Sequence, residues 1–580
     1  MCGIVGMITD HNIKDYLING LEKLEYRGYD SCGITLLYNK KLSTKKSLKR
    51  IKPLKRKLRI DSNIGIAHTR WATHGKVNKT NAHPIFSFNK NFVIVHNGII
   101  ENYIDLKNKY LKDYSFKTET DTEVIINLID YLSKKYNILD SIKILLTLLK
   151  GTFACLVINK NENKIYFFKH KSPLIIGKGD GIFFTSDMIN LPNCISKYYR
   201  LNDGDYGYAD LNNVYLYNSI DSNFIFQNIP VEKNDLLLNS YNHYMEKEIY
   251  ETPCILKQIH NIDLSVISNT IKKFNRVCFI ASGTSFHAAE IGSYFLHKIA
   301  HVDSMCYVSS EFSIDDVRDK KTLFFVISQS GETADLISVI NTLKKNNFTV
   351  FSLTNSLYST IATLSDININ MNAGPEIAVA STKSYTMSIA ILYKLANQLI
   401  DKEVDFAIIE NDIKNILSRK NEIYRISKQI SKKKDLFFLG KRLDFLLCKE
   451  ASLKLKEISY IHCEAFQAGE LKHGSIALIN NKTILIYILT EKDTEKLIRH
   501  SINEVKSRGA TVITICTESL STIEDTFIIH DSETAFIQIA LLSQLIAYYT
   551  ASILKKDIDK PRNLAKSVTV EWANILELME

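Results

Sequence analysis

RVCFIASGTSFHAAEIGSYFLHK, residues 276–298, decides the fold of most of the chain. VCFIA reads as a strand buried on both faces, SGTS (282–285) as a loop, and FHAAEIGSYFLHK as a helix. Strand, loop and helix in that order predict a parallel sheet covered by helices on both faces. The texture continues outward. TLFFVISQS (322–330) runs into the helical ADLISVINTLKK, and TVFSLTN (349–355) is a third strand. DLFFLGKR (435–442), TILIYILTE (483–491) and TVITICTE (511–518) then repeat all three at a nearly constant offset. Two copies of one α/β unit, over 250–410 and 420–560, account for this spacing. The loops of the first copy carry more hydroxyls than capping requires. One serine or threonine caps a helix, whereas Ser282, Thr284 and Ser285 share one loop and Ser328, Ser330 and Thr333 the next, beside Gln329. Hydroxyls and amides at a helix start bind phosphate without needing much positive charge.

The 580 residues exceed one hydrophobic core and imply several domains. Composition is ordinary for a globular protein (45% hydrophobic, 23% charged, 22 Gly, 8 Pro), which excludes collagen-like, disordered and disulfide-scaffold classes. Net charge is +10, a mild excess that favours small anionic substrates over nucleic acid. Lys40 to Arg59 holds eleven basic residues and no acid. With no aromatic residue to stack on bases, it reads as a solvated surface helix or loop rather than a nucleic-acid site. Ten cysteines without CxxC spacing point to a reducing compartment, and no His/Cys pattern has metal-ligand spacing. MCGIVGMITDHNIKD lacks the features of a secretory signal. Thr534–Leu554 is 21 residues without a formal charge, long enough for a membrane span; its Gln, Ser and Thr content favours a buried core helix. A cytoplasmic protein without a membrane partner is expected.

The first 230 residues have a different texture, with short β-branched and aromatic runs such as FVIVHNG (92–98) and FACLVINK (153–160). Position 2 is Cys. If Met1 is removed, thiol and α-amine share one residue, and the amine titrates close to the thiol it must activate. Alone, this cysteine reads as a small residue starting an edge strand. It is followed, however, by EYRGYDS (25–31), GIAHTRWATHG (65–75), NAHP (81–84), HNGIIEN (96–102) and TETDTE (118–123). Hydrolysing glutamine takes an arginine for the carboxylate, an acid for the ammonium and donors for the oxyanion; Arg70, Asp121 and the Asn97–Gly98 corner supply these types. The region resembles the N-terminal-nucleophile (class II) glutamine amidotransferases. The resemblance implies Cys2 as nucleophile, Asn97 and Gly98 as oxyanion hole, glutamine binding by Arg70, Thr73, His74 and Asp121, and Trp71 as the gate of an ammonia passage. His68, His83 and His96 are expected to be structural.

The two hydroxyl loops and Ala380-Ser-Thr-Lys383 resemble the sugar-isomerase (SIS) domain. KEIYETP (247–253), GPEIAVASTKSYT (374–386), LKLKEISYIHCEAFQAGELKHG (453–474) and DKPRNLAKSVTVE (559–571) resemble the glutamine–fructose-6-phosphate aminotransferases. The implied fold is an αββα sandwich followed by two SIS domains with parallel sheets. Expected boundaries are 1–230 for the glutaminase, 231–250 for a linker, 251–415 and 416–558 for the SIS domains, and 559–580 for a tail. The resemblance implies a route from fructose 6-phosphate and L-glutamine into amino-sugar synthesis, without cofactor or metal. In it Lys566 forms a Schiff base, Glu457 moves a proton beside Lys454, and His473 opens the sugar ring. Phosphosugar binding falls to Thr284, Ser285, Ser328, Gln329, Ser330, Thr333, Val379, Ala380 and Ser381. A homodimer is expected, with His473 serving the neighbouring site. Departures from the family pattern are Ser282 for Cys, Ser475 for Pro beside His473, and the extra WANILELME after Glu571. Two other readings stay open: another class II amidotransferase, or a silent sugar-phosphate sensor. No P-loop supports the first, since GKGDG (177–181) is a turn; Cys2, Glu457, His473 and Lys566 together argue against the second.

Overall fold

The computed structural model describes residues 2–25, 28, 30–48, 51–55, 60–71, 75–217, 224–228, 238, 240–357, 359–522, 524 and 526–567. The chain divides into two compact units, the first up to Asp235 and the second from Leu236 to Lys566.

The first unit is built on two antiparallel sheets. In the eight-stranded sheet the order is Gln227–Asn228, Ile195–Arg200, Ile175–Gly179, Gly181–Thr185, Gly3–Ile8, Ile64–Arg70, Ser31–Tyr38 and Lys41–Ser47. The strand after Cys2 is therefore central, not an edge. Gly3 pairs with Thr69 on one side and Val5 with Thr185 on the other, and all six of its residues are buried. The six-stranded sheet includes Phe92–Ile100 beside Gly151–Asn159. Alternation along the strands sorts the side chains into three layers. Ile4, Ile8, Ile64 and Ile66 meet Val93, Val95, Leu156 and Phe167 between the sheets. Val5 and Met7 pack outward on Leu17, Ile18 and Leu21 of the helix Lys14–Leu24. Ile94, Phe153 and Phe168 pack on Val124, Ile125 and Leu128 of the helix Asp121–Leu132. This is the expected αββα sandwich.

The basic run differs from its sequence reading. Lys41–Ser47 is a strand at the sheet edge, Cys32 opposite Ser47 and Tyr38 opposite Lys41, with a short helix at Lys52–Lys55. Charge density masked the alternation that lets Thr44 meet Thr35 (2.6 Å between hydroxyls). Lysines on an outermost strand discourage further strand pairing. Residues 49–50 and 56–59 lie outside those described.

The second unit holds two five-stranded parallel sheets of identical order. One runs Asp303–Val308, Arg276–Ala281, Thr322–Ser328, Thr349–Thr354 and Ile367–Asn370; the other His462–Gln467, Asp435–Gly440, Ile484–Leu489, Thr511–Thr517 and Phe527–Ile529. The repeat is thus one of topology as well as sequence. A continuous core joins both copies, with Phe279, Phe325 and Leu392 from the first and Phe438, Ile486 and Leu541 from the second. Ala535–Ile553 lies within that core. It is the one described helix long and apolar enough to cross a membrane, and its apolar window is 89% buried. The helix Tyr244–Leu256 begins inside the stretch expected as a linker. Residues 568–580, with Glu571 and the extra C-terminal segment, lie outside those described.

Candidate active sites

In the first unit the central strand places Cys2 beside the end of Ile64–Arg70. The Trp71 amide donates to Cys2 Sγ (3.3 Å), and the thiol donates back to the Trp71 carbonyl (3.4 Å). Burial raises the Cys2 thiol above its ordinary range, against the opposing pull of the Trp71 amide and the Arg70 charge. The thiol is a protonated nucleophile awaiting a base. Asn97 Nδ2 donates to the Cys2 carbonyl at 3.0 Å. Its amide is oriented by His68, whose Nε2 lies 2.9 Å from the His96 carbonyl and 3.0 Å from Asn97 Oδ1. A nitrogen facing a carbonyl must carry the proton, so the NH2 group of Asn97 is left to face Cys2. Burial lowers His68 to about 3, so it stays neutral. His83 stands edge-on to His68 (centroids 4.2 Å apart), and both His83 Nε2 and His96 Nδ1 reach Thr122 Oγ1 (3.0 and 2.9 Å). Of this group, His68 bears directly on Asn97, a link that spacing in the sequence does not signal.

Gly98 has φ +126°, and a Cβ there would lie 1.9 Å from the Thr152 carbonyl oxygen across the sheet. Only glycine permits this corner. Arg70 is buried and donates to the Gly75 carbonyl at 3.3 Å. Asp121, at the start of its helix, accepts the Ile100 amide (2.8 Å). Burial lowers the Arg70 guanidinium, while Cys2, Asp30 and Asp121 act the other way, so these groups share one field. Thr73 and His74 lie outside the described residues.

In the second unit the first-copy loops end two adjacent parallel strands. Gly283 (φ +57°) opens the helix Gly283–Lys298 after Ser282, whose hydroxyl pairs with that of Ser309. In the next loop Ser328 Oγ accepts the Gly331 amide (3.1 Å) and meets Thr333 Oγ1 (3.1 Å), while Ser330 Oγ accepts the Glu332 amide (3.2 Å). The Gln329 carbonyl accepts the Asn355 amide at 3.1 Å. Val379, Ala380 and Ser381 sit on a third loop.

Lys566 Nζ lies 2.5 Å from Glu376 Oε2 and 3.4 Å from Ser381 Oγ, with side chains 2% and 0% exposed for lysine and glutamate. Burial opposes the Glu376 charge, but Lys566 and the Thr382 and Ser384 amides outweigh it and hold the carboxyl below the usual range. Lys454 Nζ lies 2.5 Å from Glu457 and 3.4 Å from Glu450. Glu450 also accepts from Thr284 Oγ1 (3.1 Å) and lies 2.7 Å from His287 Nδ1. Burial pulls Lys454 down; Glu457, Glu450 and Glu376 together hold it above the usual lysine value. Both clusters thus lie in one field. Spacing brings out Lys454 and Glu457, a pair three apart on Leu443–Ser459. The same rule reaches Glu450, four residues before Lys454, which the sequence reading passed over; no spacing points to Glu376 inside GPEIAVAS. His473 is exposed on the turn Glu470–His473 and makes no hydrogen bond to either cluster among the described residues. Ser475 follows Gly474 (φ +151°) in the adjoining turn. Ser285 stands in the first turn of Gly283–Lys298.

Comparison with known proteins fits both halves. A SIS domain model matches residues 270–398 and 429–554, and a glutamine amidotransferase domain model matches 68–193. The glutamine–fructose-6-phosphate aminotransferase (isomerizing) of Oceanobacillus iheyensis is 40% identical over 604 aligned positions, covering 98% of this chain and all of the relative. That of Bacillus subtilis is 38% identical with the same coverage. The solved C-terminal domain of glucosamine-fructose-6-phosphate aminotransferase from Francisella tularensis is 31% identical with TM-score 0.52, over 56% of this chain and 99% of that one. Tagatose-6-phosphate ketose/aldose isomerase from Escherichia coli shares the fold at 15% identity and TM-score 0.51, over 55% of this chain and 96% of that one.

Proposed function

The chain belongs to the glutamine–fructose-6-phosphate aminotransferase (isomerizing) family, and we propose that it converts fructose 6-phosphate and L-glutamine into glucosamine 6-phosphate and glutamate. One observation carries the sugar half: a lysine ammonium buried on a carboxylate, beside the Ser381 hydroxyl and the amides of Thr382 and Ser384 at a helix start. Phosphate binds Thr284, Ser285, Ser328, Gln329, Ser330 and Thr333, and the sugar lies along Val379–Ser381. Lys566, freed of a proton, adds to the open-chain ketone and expels water as an iminium. The iminium makes the C1 proton acidic, ammonia replaces Lys566 at C2, and Glu457 carries the proton from C1 to C2 with Lys454 bracing its charge. His473 opens the ring. Since it is exposed on its own chain and distant in bonding from Lys566, it serves the site of a second copy in a homodimer.

In the glutaminase half the α-amine exposed by removal of Met1 takes the Cys2 proton, and the thiolate attacks the side-chain amide of glutamine. Asn97 Nδ2 and the Gly98 amide receive the oxyanion, ammonia leaves, and water releases glutamate from the thioester. Arg70, Thr73, His74 and Asp121 hold the amino-acid end, and Trp71 gates ammonia toward the sugar. Ten cysteines without CxxC spacing support a cytoplasmic location. A coupled assay of glutamate and amino-sugar phosphate tests this reading. Cys2→Ala abolishes glutamine-dependent synthesis and spares isomerisation to glucose 6-phosphate; Lys566→Arg abolishes sugar chemistry and spares slow glutamine hydrolysis. Loss of both activities in either folded variant refutes the division.

A further inference from the structure

KEIYETP contains a carboxyl for which the mechanism above has no use. Glu248 lies in the helix Tyr244–Leu256 and is buried. Its Oε1 accepts the amides of Ile377 (2.5 Å) and Ala378 (3.1 Å), the residues that follow Glu376. Its Oε2 is buried and, among the described residues, has no hydrogen-bond partner. Helix, loop and tail interlock at this point. The Asp559 carboxylate accepts the Tyr244 and Met245 amides (both 2.9 Å), and its carbonyl accepts the Val379 amide (3.0 Å). Seven residues further on, Lys566 reaches Glu376 and Ser381. Glu248 and Lys566 therefore grip the same loop, 376–381.

The charges around Glu248 can be assigned. On its own helix Glu251 takes both Lys247 (3.5 Å) and Lys383 (2.8 Å), the first residue of the helix Lys383–Gln398, and Tyr244 stands nearby. Asp559 is spent on two amides, and Lys566 on Glu376. Among the described residues no cation pairs directly with Glu248. A buried carboxylate oxygen without a donor is costly, so the group keeps its proton. Burial first, then the Glu376 charge, push its carboxyl well above the usual range, against Lys566 and Lys383.

We propose that Glu248 is a positioning residue of the sugar site that works as a neutral acid, clamping the 376–381 loop while leaving Lys566 a single carboxylate partner. This rests on Lys566 being the Schiff-base lysine. Before its nitrogen can add to the ketone carbon, Lys566 must pass one ammonium proton to Glu376. That proton returns to the carbinol hydroxyl, which leaves as water, and the nitrogen ends as an iminium with Glu376 again ionised. A second negative charge, on Glu248, would hold the ammonium against the first transfer.

The test uses the full-length enzyme and the glutamine-independent isomerisation of fructose 6-phosphate across pH. The wild-type rate should fall on the alkaline side as Glu248 ionises. Glu248→Gln cannot ionise, so its alkaline-to-neutral rate ratio should exceed that of wild type by about tenfold or more, the effect of one removed charge within a few ångströms. Glu248→Ala releases both amides and should raise KM for fructose 6-phosphate about tenfold. Parallel pH profiles for wild type and Glu248→Gln overturn the proposal, as does a Gln variant that no longer folds, because a neutral isostere should replace a neutral acid. An unchanged KM in Glu248→Ala overturns the clamp. Borohydride trapping of wild type with fructose 6-phosphate separates the two levels: a missing Lys566 adduct refutes the Schiff-base reading, whereas an adduct with parallel profiles refutes the role of Glu248 alone.

Discussion

Replacing Gly98 by alanine tests the oxyanion corner with a single methyl group. The methyl carbon would lie 1.9 Å from the Thr152 carbonyl oxygen and 2.6 Å from its carbon. Reaching even 3.0 Å, the least that side-chain carbons tolerate, takes a shift of about 1.1 Å (3.0 less 1.9). Thr152 cannot supply it cheaply. It pairs with Ile99 on one side, and the next residue, Phe153, pairs with His170 on the other. The Asn97–Gly98 peptide must turn instead, leaving a φ of +126° that alanine holds only at a cost of about 1–3 kcal/mol. Rotation carries the Gly98 amide off the oxyanion and strains the 3.0 Å bond from Asn97 to the Cys2 carbonyl. Loss of one oxyanion donor costs about 10²–10³ in kcat, and a misplacement of about 1 Å is of similar consequence. Glutamate release by Gly98→Ala should fall by that factor, while isomerisation of fructose 6-phosphate, which the proposed function assigns to the second unit, serves as the control for folding. Glutaminase turnover within about threefold of wild type, far less than one lost donor should cost, would refute the placement of the oxyanion at this corner.

Asp444 makes a prediction about stability. Burial raises its carboxyl from 3.8 to about 7 although Thr490 donates to it twice. A folded-state value above the unfolded one means that the stabilisation is whole below pH 3.8 and drains away as pH rises to about 7. The ceiling is about 4 kcal/mol. Asp444→Asn, which can keep both contacts and cannot ionise, should melt progressively higher than wild type through that interval; a constant gap in melting temperature would contradict the buried-acid account. For Trp71, whose backbone sits on Cys2, Trp71→Ala should make glutamate faster than amino sugar. A one-to-one ratio would remove the gate assignment.

Strand–loop–helix order and the constant offset between copies were legible because each rests on local pattern and on burial of both sheet faces. The same logic placed Ala535–Ile553 inside the core, where the amide nitrogens of both its glutamines find acceptors: Gln544 Nε2 donates to the Thr382 carbonyl (3.1 Å) and Gln538 Nε2 to that of His530 (3.0 Å). Lys41–Ser47 was misread because a run of like charges looks the same on a surface helix and on a strand with one free edge. Glu248, Glu376 and Glu450 were missed for another reason. Glu376 meets Lys566 across a separation of 190 residues and Glu248 meets the Ile377 amide across 129, contacts that only the fold creates; Glu450 does lie one helical turn from Lys454, but its link to Thr284, 166 residues away, is long-range.

The repeat itself hides the most telling asymmetry. In both copies the central strand of the sheet, Thr322–Ser328 or Ile484–Leu489, ends in a hydroxyl-bearing loop. In the first, Ser328 and Ser330 hold the loop's own amides and shape it as a cradle. In the second, Thr490 gives both its amide (2.9 Å) and its hydroxyl (2.5 Å) to Asp444, a residue of the helix that follows the counterpart of Arg276–Ala281. A carboxylate of the chain itself thus takes donors that an incoming phosphate would need. On the proposed function, which puts the phosphosugar in the loops of the first copy, this buried acid accounts for why the second copy does not take it.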